Sequence, residues 1–225
     1  MDVTTRHAPS FAVARLTLAG GESMNAESGA MMATSAGVEV ESKMRGGLKG
    51  AFKRGILGGE SLFVSTFTAP SQGGWVDVAA RLPGDLVVLE VDGAVNLARG
   101  AYLAADEGVT IDAKWGGFKN LVGGEGGFLV RAEGRGPLVV AAYGAIDVVE
   151  LAAGESVIVD SGHMVAYGDG VEFSLRKVAS GLIQSAKSGE GFVFEFRGPG
   201  RVWTQSRNPG QLISWLTAEL PFSRG

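Results

Sequence analysis

The sequence predicts an all-β protein ending in one short helix. Three observations carry this expectation. Short runs rich in Val, Phe, Leu and Ile alternate in polarity and stop at Gly, Asp or Pro. Glycine supplies 36 of 225 residues, about 16% against a usual ~7%, as a chain of many tight turns requires. A 12-residue pattern also recurs three times without gaps, in residues 29–40, 100–111 and 162–173. It reads Gly, two residues, an apolar residue, Ala, three residues, Gly-Val, any residue, an apolar residue. A fixed internal period is the signature of a duplicated structural unit.

The elements follow in chain order. Ala12–Leu18 alternates as a strand, and the first window, Gly29 to Val40, follows it. Gly59-Glu60, Gly124-Glu125 and Gly189-Glu190 recur 65 residues apart, and each is expected to open a hairpin. The first hairpin joins Ser61–Phe67 to Trp75–Ala79 through a long turn, 69–74. Leu86–Val91 is a β-branched strand ahead of the second window. In the second hairpin Phe128, Val130 and Ala132 face inward, Gly134-Arg135-Gly136-Pro137 turns, and 138–142 returns. Ala145–Leu151 and Ser156–Val159 are strands ahead of the third window. Phe192, Phe194 and Phe196 share the inward face of the third hairpin, Gly198-Pro199-Gly200 turns, and Val202–Gln205 returns. These elements divide the chain into three repeats, approximately 10–80, 81–142 and 143–206. No Pro- or Ser-rich linker separates them, so 1–225 is expected to be a single compact domain.

The expected helix covers approximately 209–220. Asn208 suits the N-cap, Pro209 the first helical position and Gln211 the third, and Pro221 stops the helix. Leu212, Ile213, Trp215, Leu216 and Leu220 form its apolar face, expected to pack on the rest of the chain or else to dock on a neighbouring subunit.

Composition narrows the function. The net charge is −4, and successive thirds of the chain carry +1, −5 and 0, which argues against nucleic acid as a partner. The absence of Cys excludes disulfides and thiolate chemistry. No apolar run is long enough to span a bilayer, and Met1 to His7 lacks a signal core, so a cytoplasmic protein is expected. His7 and His163 are the two histidines. They cannot form a His-x-His metal centre, and no cofactor or transition-metal site is expected. The glycine-rich stretches lack the lysine and helix of a phosphate-binding loop. Trp75, Trp115 and Trp203 lie on or beside strands, where packing is the expected role.

Three groups of residues are candidates for ligand contact or interaction. Glu60, Glu125 and Glu190 recur after Gly, as carboxylates that accept backbone N–H bonds or as a ring of acids for a cation. His163 is the only histidine positioned to serve a nucleophile. Lys49, Lys53 and Arg54 belong to a basic stretch, 43–54, that reads as a solvated face or as a contact for an anionic surface such as phospholipid or RNA.

Several stretches together resemble a known family. These are Ala26-Glu27-Ser28-Gly29-Ala30-Met31, Gly58-Gly59-Glu60-Ser61-Leu62-Phe63, Gly100-Ala101-Tyr102-Leu103-Ala104, Ala142-Tyr143-Gly144, Gly162-His163-Met164-Val165-Ala166, Ser188-Gly189-Glu190-Gly191 and Gly198-Pro199-Gly200. In this order, over residues 10–208, they resemble the altered-inheritance-of-mitochondria family. The resemblance implies a fold like the tryptophan RNA-binding attenuation protein: a β-sandwich or short double-stranded β-helix whose small subunits form rings. It also implies an uncharacterised function with no catalytic residues to carry over. The attenuation protein binds RNA through repeated lysines, and no lysine occupies a matched place in all three repeats here. The expected function is therefore a non-enzymatic scaffold or interaction protein. It would form a homo-oligomer, preferably a trimer, with a peripheral membrane or protein partner. The alternative is a ring that binds a small molecule or RNA.

Overall fold

Alternation decides the burial of each strand. In Val13–Leu18 (β2), Ala14, Leu16 and Leu18 are buried while Arg15 and Thr17 point the other way. The computed structural model describes residues 1–44, 63–112, 129–177 and 192–220. Its strands fall into three sets. The first holds Asp2–Arg6 (β1), β2, Ser23–Glu27 (β3), Met31–Thr34 (β4), Glu39–Met44 (β5), Phe63–Thr68 (β6) and Gly74–Ala79 (β7). The middle set holds Leu86–Ala98 (β8), Tyr102–Asp106 (β9), Val109–Asp112 (β10) and Leu129–Ala141 (β11). The third holds Ile146–Leu151 (β12), Ser156–Asp160 (β13), Met164–Gly168 (β14), Glu172–Lys177 (β15), Phe192–Arg197 (β16) and Gly200–Gln205 (β17). The helix α1 is Pro209–Glu219.

Among the described residues the named strands pair antiparallel throughout. In the first set β7 lies between β2 and β4, and β6 lies between β3 and β5. In the third, β17 lies between β12 and β14, and β16 between β13 and β15. The middle set does the same with fewer, longer strands. The second half of β11 lies between the first half of β8 and β9, and its first half lies between the second half of β8 and β10. Each set also skips one residue in its ladder. Met31 and Ala33 pair with Val78 and Asp77, so Met32 bulges. Tyr102 and Ala104 pair with Val140 and Val139, so Leu103 bulges. Met164 and Ala166 pair with Thr204 and Trp203, so Val165 bulges. All three bulges occupy the apolar fourth position of the 12-residue window.

The sets join through strand edges. β3 pairs with β9, and β8 pairs with β14, which fuses strands from all three sets into a ten-stranded sheet. A four-stranded sheet, β1-β2-β7-β4, and a three-stranded sheet, β13-β16-β15, stand apart from it. The hydrophobic core follows the joins. Leu16, Val76 and Val78 of the first set pack with Leu103, Ala104 and Val139 of the second. Leu97, Tyr102, Val130 and Leu138 of the second pack with Val165, Ala166 and Trp203 of the third. Phe194 and Phe196 pack with Tyr167 and Val202 in the third set.

Two expectations are corrected here. The predicted hairpins do not form. β16 and β17 belong to different sheets, as do β6 and β7, and neither pair is hydrogen-bonded to itself. The turn at Gly198-Pro199 carries the chain from one layer of a sandwich to the other, and Phe196 and Val202 meet in the core between the layers. In the middle set Gly134-Arg135-Gly136-Pro137 does not turn at all. β11 runs straight through it against β8, with Gly134 opposite Gly93. Gly134 has φ 137°, and a Cβ on it would lie 2.0 Å from the Gly108 carbonyl oxygen, so glycine lets the chains bend together where a hairpin was expected. The helix starts as expected, with the Asn208 side chain accepting from Gly210 N at 2.8 Å and Gln211 N at 3.4 Å. Its apolar face, however, is covered only in part, at Leu212 and Leu216. No helix residue is buried, and Ile213 and Trp215 are 60% and 59% exposed.

Candidate functional site: polar ties and open sheet edges

Of the residues singled out in the sequence, Glu60, Glu125, Glu190, Lys49, Lys53 and Arg54 lie outside the described residues, as do Trp115 and Phe128. His163 is described, half-buried in the turn before β14. Its Nδ1 lies 2.7 Å from the Gln205 carbonyl oxygen, which also fixes the ring. Gln205 in turn donates from its side chain to the Gly162 carbonyl and accepts from Tyr143 N, both at 2.9 Å. The Asp160 carboxylate accepts from Gly162 N at 2.9 Å and from the Asn208 amide at 3.4 Å. These bonds tie the last strand and the helix start to the third window.

The strongest electrostatic cluster was not anticipated. Asp77 on β7 is 2% exposed, and both its oxygens are held twice. Arg15 donates at 2.8 and 2.9 Å, and Arg6 at 2.6 and 3.2 Å. The Arg15 guanidinium also lies over the Trp75 ring at 3.9 Å from its centroid. Hydrogen bonds from Arg15 and then Arg6 hold the Asp77 carboxyl well below the usual carboxylate range, against the opposing effect of burial. Three facing strands are laced together by this one acid. Its signal in the sequence was only an alternation, Trp75-Val76-Asp77-Val78, with a charged residue on the face away from the core.

A second tie crosses from the middle set to the third. Arg131 on β11 donates from Nη1 to Asp169 at 2.6 Å and to Asn96 at 3.3 Å, and its Nε lies 3.5 Å from Glu133. An open cleft of about 720 Å³ beside it is lined by Thr110, Asp112, Arg131 and Glu133. The arginine there is already matched by acids, so the cleft is mixed in charge. Among the described residues no group of three or more His, Asp or Glu is arranged to hold a metal ion.

A recurrence in the turns also escaped the sequence reading. Leu18-Ala19-Gly20-Gly21-Glu22-Ser23 matches Leu151-Ala152-Ala153-Gly154-Glu155-Ser156 at five of six places. In both, the glutamate closes its own turn: Glu22 accepts from Ala19 N, and Glu155 from Ala152 N, each at 2.8 Å. Glu22 also pairs with the N-terminal ammonium of Met1.

The remaining feature is at the sheet edges. β4 ends the four-stranded sheet, and β13 ends the three-stranded one. Met31 and Met32 on β4 are 44% and 54% exposed, and Ile158 on β13 is 59% exposed. Unpaired backbone beside apolar side chains is a surface for association.

Fold and site together define an all-β protein of three antiparallel sheets, in which ion pairs such as Arg15–Asp77 tie neighbouring strands to one another. The chain belongs to the mitochondrial biogenesis AIM24 family, whose model matches residues 3–207. It is 31% identical to an uncharacterized protein of Streptococcus pyogenes serotype M6, over 99% of this chain and 92% of that one. The crystal structure of the Streptococcus pyogenes protein SPYM3_0169 has the same fold, with a TM-score of 0.82 and 29% identity over 97% of this chain and 99% of that one. No helix among the described residues is long and apolar enough to cross a membrane.

Proposed function

We propose that this protein is a non-enzymatic scaffold, built from three copies of one structural unit, that assembles as a cytoplasmic homo-oligomer. The units correspond to approximately 10–80, 81–142 and 143–206. The observation that carries the reading is the common construction of the three strand sets: the same pairing scheme, the same bulge at Met32, Leu103 and Val165, and joins made through strand edges. A unit that joins its neighbours by edge pairing is a device for assembly. Buried and half-buried polar side chains support the same reading, since Asp77, Arg131 and His163 bond strands and turns to one another. A trimer is favoured because head-to-tail contacts close as rings. Three copies make the smallest ring in which each copy has two different neighbours.

Sedimentation equilibrium and native mass spectrometry over a hundredfold range of concentration test this. The expected result is a mass about three times the 23.2 kDa of the chain. A monomer throughout overturns the reading. A nucleic acid or small molecule retained in stoichiometric amount by the assembly would instead favour a ligand-binding ring.

A further inference from the structure

Among the described residues, one kind of contact is made twice and left unmade once. β9 of the middle set pairs with β3 of the first, with Ala104 opposite Ala26 and Ala105 opposite Asn25. β14 of the third set pairs with β8 of the middle, with Ala166 opposite Leu97 and Tyr167 opposite Asn96. The two joins coincide position for position, each with the window alanine opposite an apolar residue. The same step applied again would bring β4 of the first set against β13 of the third. Among the described residues β4 pairs with β7 alone and β13 with β16 alone.

Burial records the missing neighbour. The second and third residues after the window glycine are Tyr102 and Leu103 in the middle set, 0% and 1% exposed, and Met164 and Val165 in the third, 4% and 0% exposed. Their counterparts Met31 and Met32 are about half exposed. On the other edge, Asn25 and Asn96 are 3% and 2% exposed, while the residue at their place in β13, Ile158, is 59% exposed. Residues that a neighbour covers at two joins lie bare at the third.

The edges themselves differ in kind from the others. Free edges are normally blunted by charge. β1 carries Asp2 and Arg6, β12 carries Asp147 and Glu150, β5 carries Glu39 and Glu41, and β15 carries Glu172. β4, Met-Met-Ala-Thr, carries no charge. β13 carries only Asp160 at its end, where the carboxylate is engaged by Gly162 N and Asn208.

We infer that β4 of one copy pairs with β13 of the next copy of this chain, antiparallel, with Ala33 opposite Val159 and Thr34 opposite Ile158. This interface continues the internal joins from chain to chain. It is heterologous, so copies follow one another head to tail in a ring. It buries Met31, Met32 and Ile158 as Tyr102, Leu103 and Asn96 are buried inside the chain. The inference rests on the homo-oligomer reading above and names its surface.

Two full-length variants test it by complementation. Met32→Asp spoils the β4 edge and leaves β13 intact, while Ile158→Asp does the reverse. Each alone is expected to sediment as a monomer with a melting temperature close to that of an unassembled wild-type chain. Mixed in equal amounts they are expected to form a species of twice the 23.2 kDa chain mass, with one sound contact. Because the protein has no cysteine, Ala33→Cys and Val159→Cys give a second readout. Oxidation of the two single-cysteine proteins together should yield a disulfide-linked dimer that neither yields alone, since facing residues of an antiparallel pair have Cβ atoms about 4.5–5.5 Å apart. Two outcomes overturn the interface while leaving homo-oligomerisation standing: both aspartate variants remaining in the wild-type assembly, or the mixture failing to form the dimer. A disulfide formed by either single variant alone would mean like edges meet, and would overturn the head-to-tail order. A wild-type protein that is monomeric throughout overturns the underlying reading as well.

Discussion

Arg15 and Asp77 stand opposite each other in the β2–β7 ladder, and the guanidinium grips both carboxylate oxygens, at 2.8 and 2.9 Å. Arg6 adds a second fork from β1, so a carboxylate that is almost wholly buried is satisfied by two cations that are each about one third exposed. Burial of this acid is tolerated because its partners are preplaced by strand pairing and need little further ordering.

Replacing Asp77 with Ala leaves two arginines facing each other without their acid. The expected loss is about 2–3 kcal/mol, read as a shift in the urea midpoint. The pH dependence follows from the sign of the shift. A carboxyl held below its unfolded value contributes stability at neutral pH and loses it on acidification. Wild-type stability should therefore fall between about pH 5 and pH 2, and Asp77→Asn should fall less steeply over the same window. Equal slopes would show that Asp77 is not the controlling group.

The three bulge residues allow a matched comparison. Leu103→Ala removes a fully buried side chain and should cost about 2–4 kcal/mol. Val165→Ala should cost about 1–2 kcal/mol for its smaller side chain. Met32→Ala, at the equivalent place, should cost under about 0.5 kcal/mol when measured on dissociated protein. A large loss at Met32 in the monomer would contradict its exposure.

Tyr167 offers a test in the opposite direction. Its ring packs 5.2 Å from Phe196 and 5.3 Å from Phe173, and its buried hydroxyl has no hydrogen-bond partner among the described residues. Burial raises its pKa. Tyr167→Phe keeps the ring and removes the unsatisfied group, so the variant should be as stable as the wild type or up to about 1 kcal/mol more stable in thermal melts. A clear destabilisation would mean the hydroxyl has a partner.

Glycine substitutions separate conformation from crowding. Gly154 has φ 84° with open space around its Cβ direction, whereas Gly134 has φ 137° and the Gly108 carbonyl 2.0 Å away. Gly154→Ala should cost about 1 kcal/mol from backbone strain alone. Gly134→Ala should cost more than about 3 kcal/mol, because β10 must move from β11 to admit the methyl group. Similar losses at both positions would remove the steric account.

Much of the fold was legible because the 12-residue window couples side-chain alternation to turn chemistry. Gly37-Val38, Gly108-Val109 and Gly170-Val171 each sit at the tight turn between a bulged strand and the next strand. The error over the hairpins has a physical cause. A Gly-Pro-Gly sequence reports that a strand is interrupted, and it carries no information on whether the two strands pair or lie in different sheets. Gly134 and Gly136 were misread for a related reason: glycine serves a turn and a bend in a continuous strand equally well. Of the candidate residues, His163 is expected on a strand and lies in the turn before β14. Asp77 was missed because its partners, Arg6 and Arg15, lie 71 and 62 residues away. The exposed edge was not readable at all. Met32, Leu103 and Val165 look alike in the sequence, and only the presence or absence of a neighbouring strand tells them apart.

The middle set differs from the other two in one respect with a mechanical consequence. β8 and β11 each run unbroken for 13 residues through both layers, whereas in the outer sets the layers are linked by turns such as 19–22 and 198–199. Layers stitched by continuous backbone resist sliding over each other; layers hinged at turns yield to it. Relative displacement of the two layers is therefore expected to be smaller in the middle set than in either outer one.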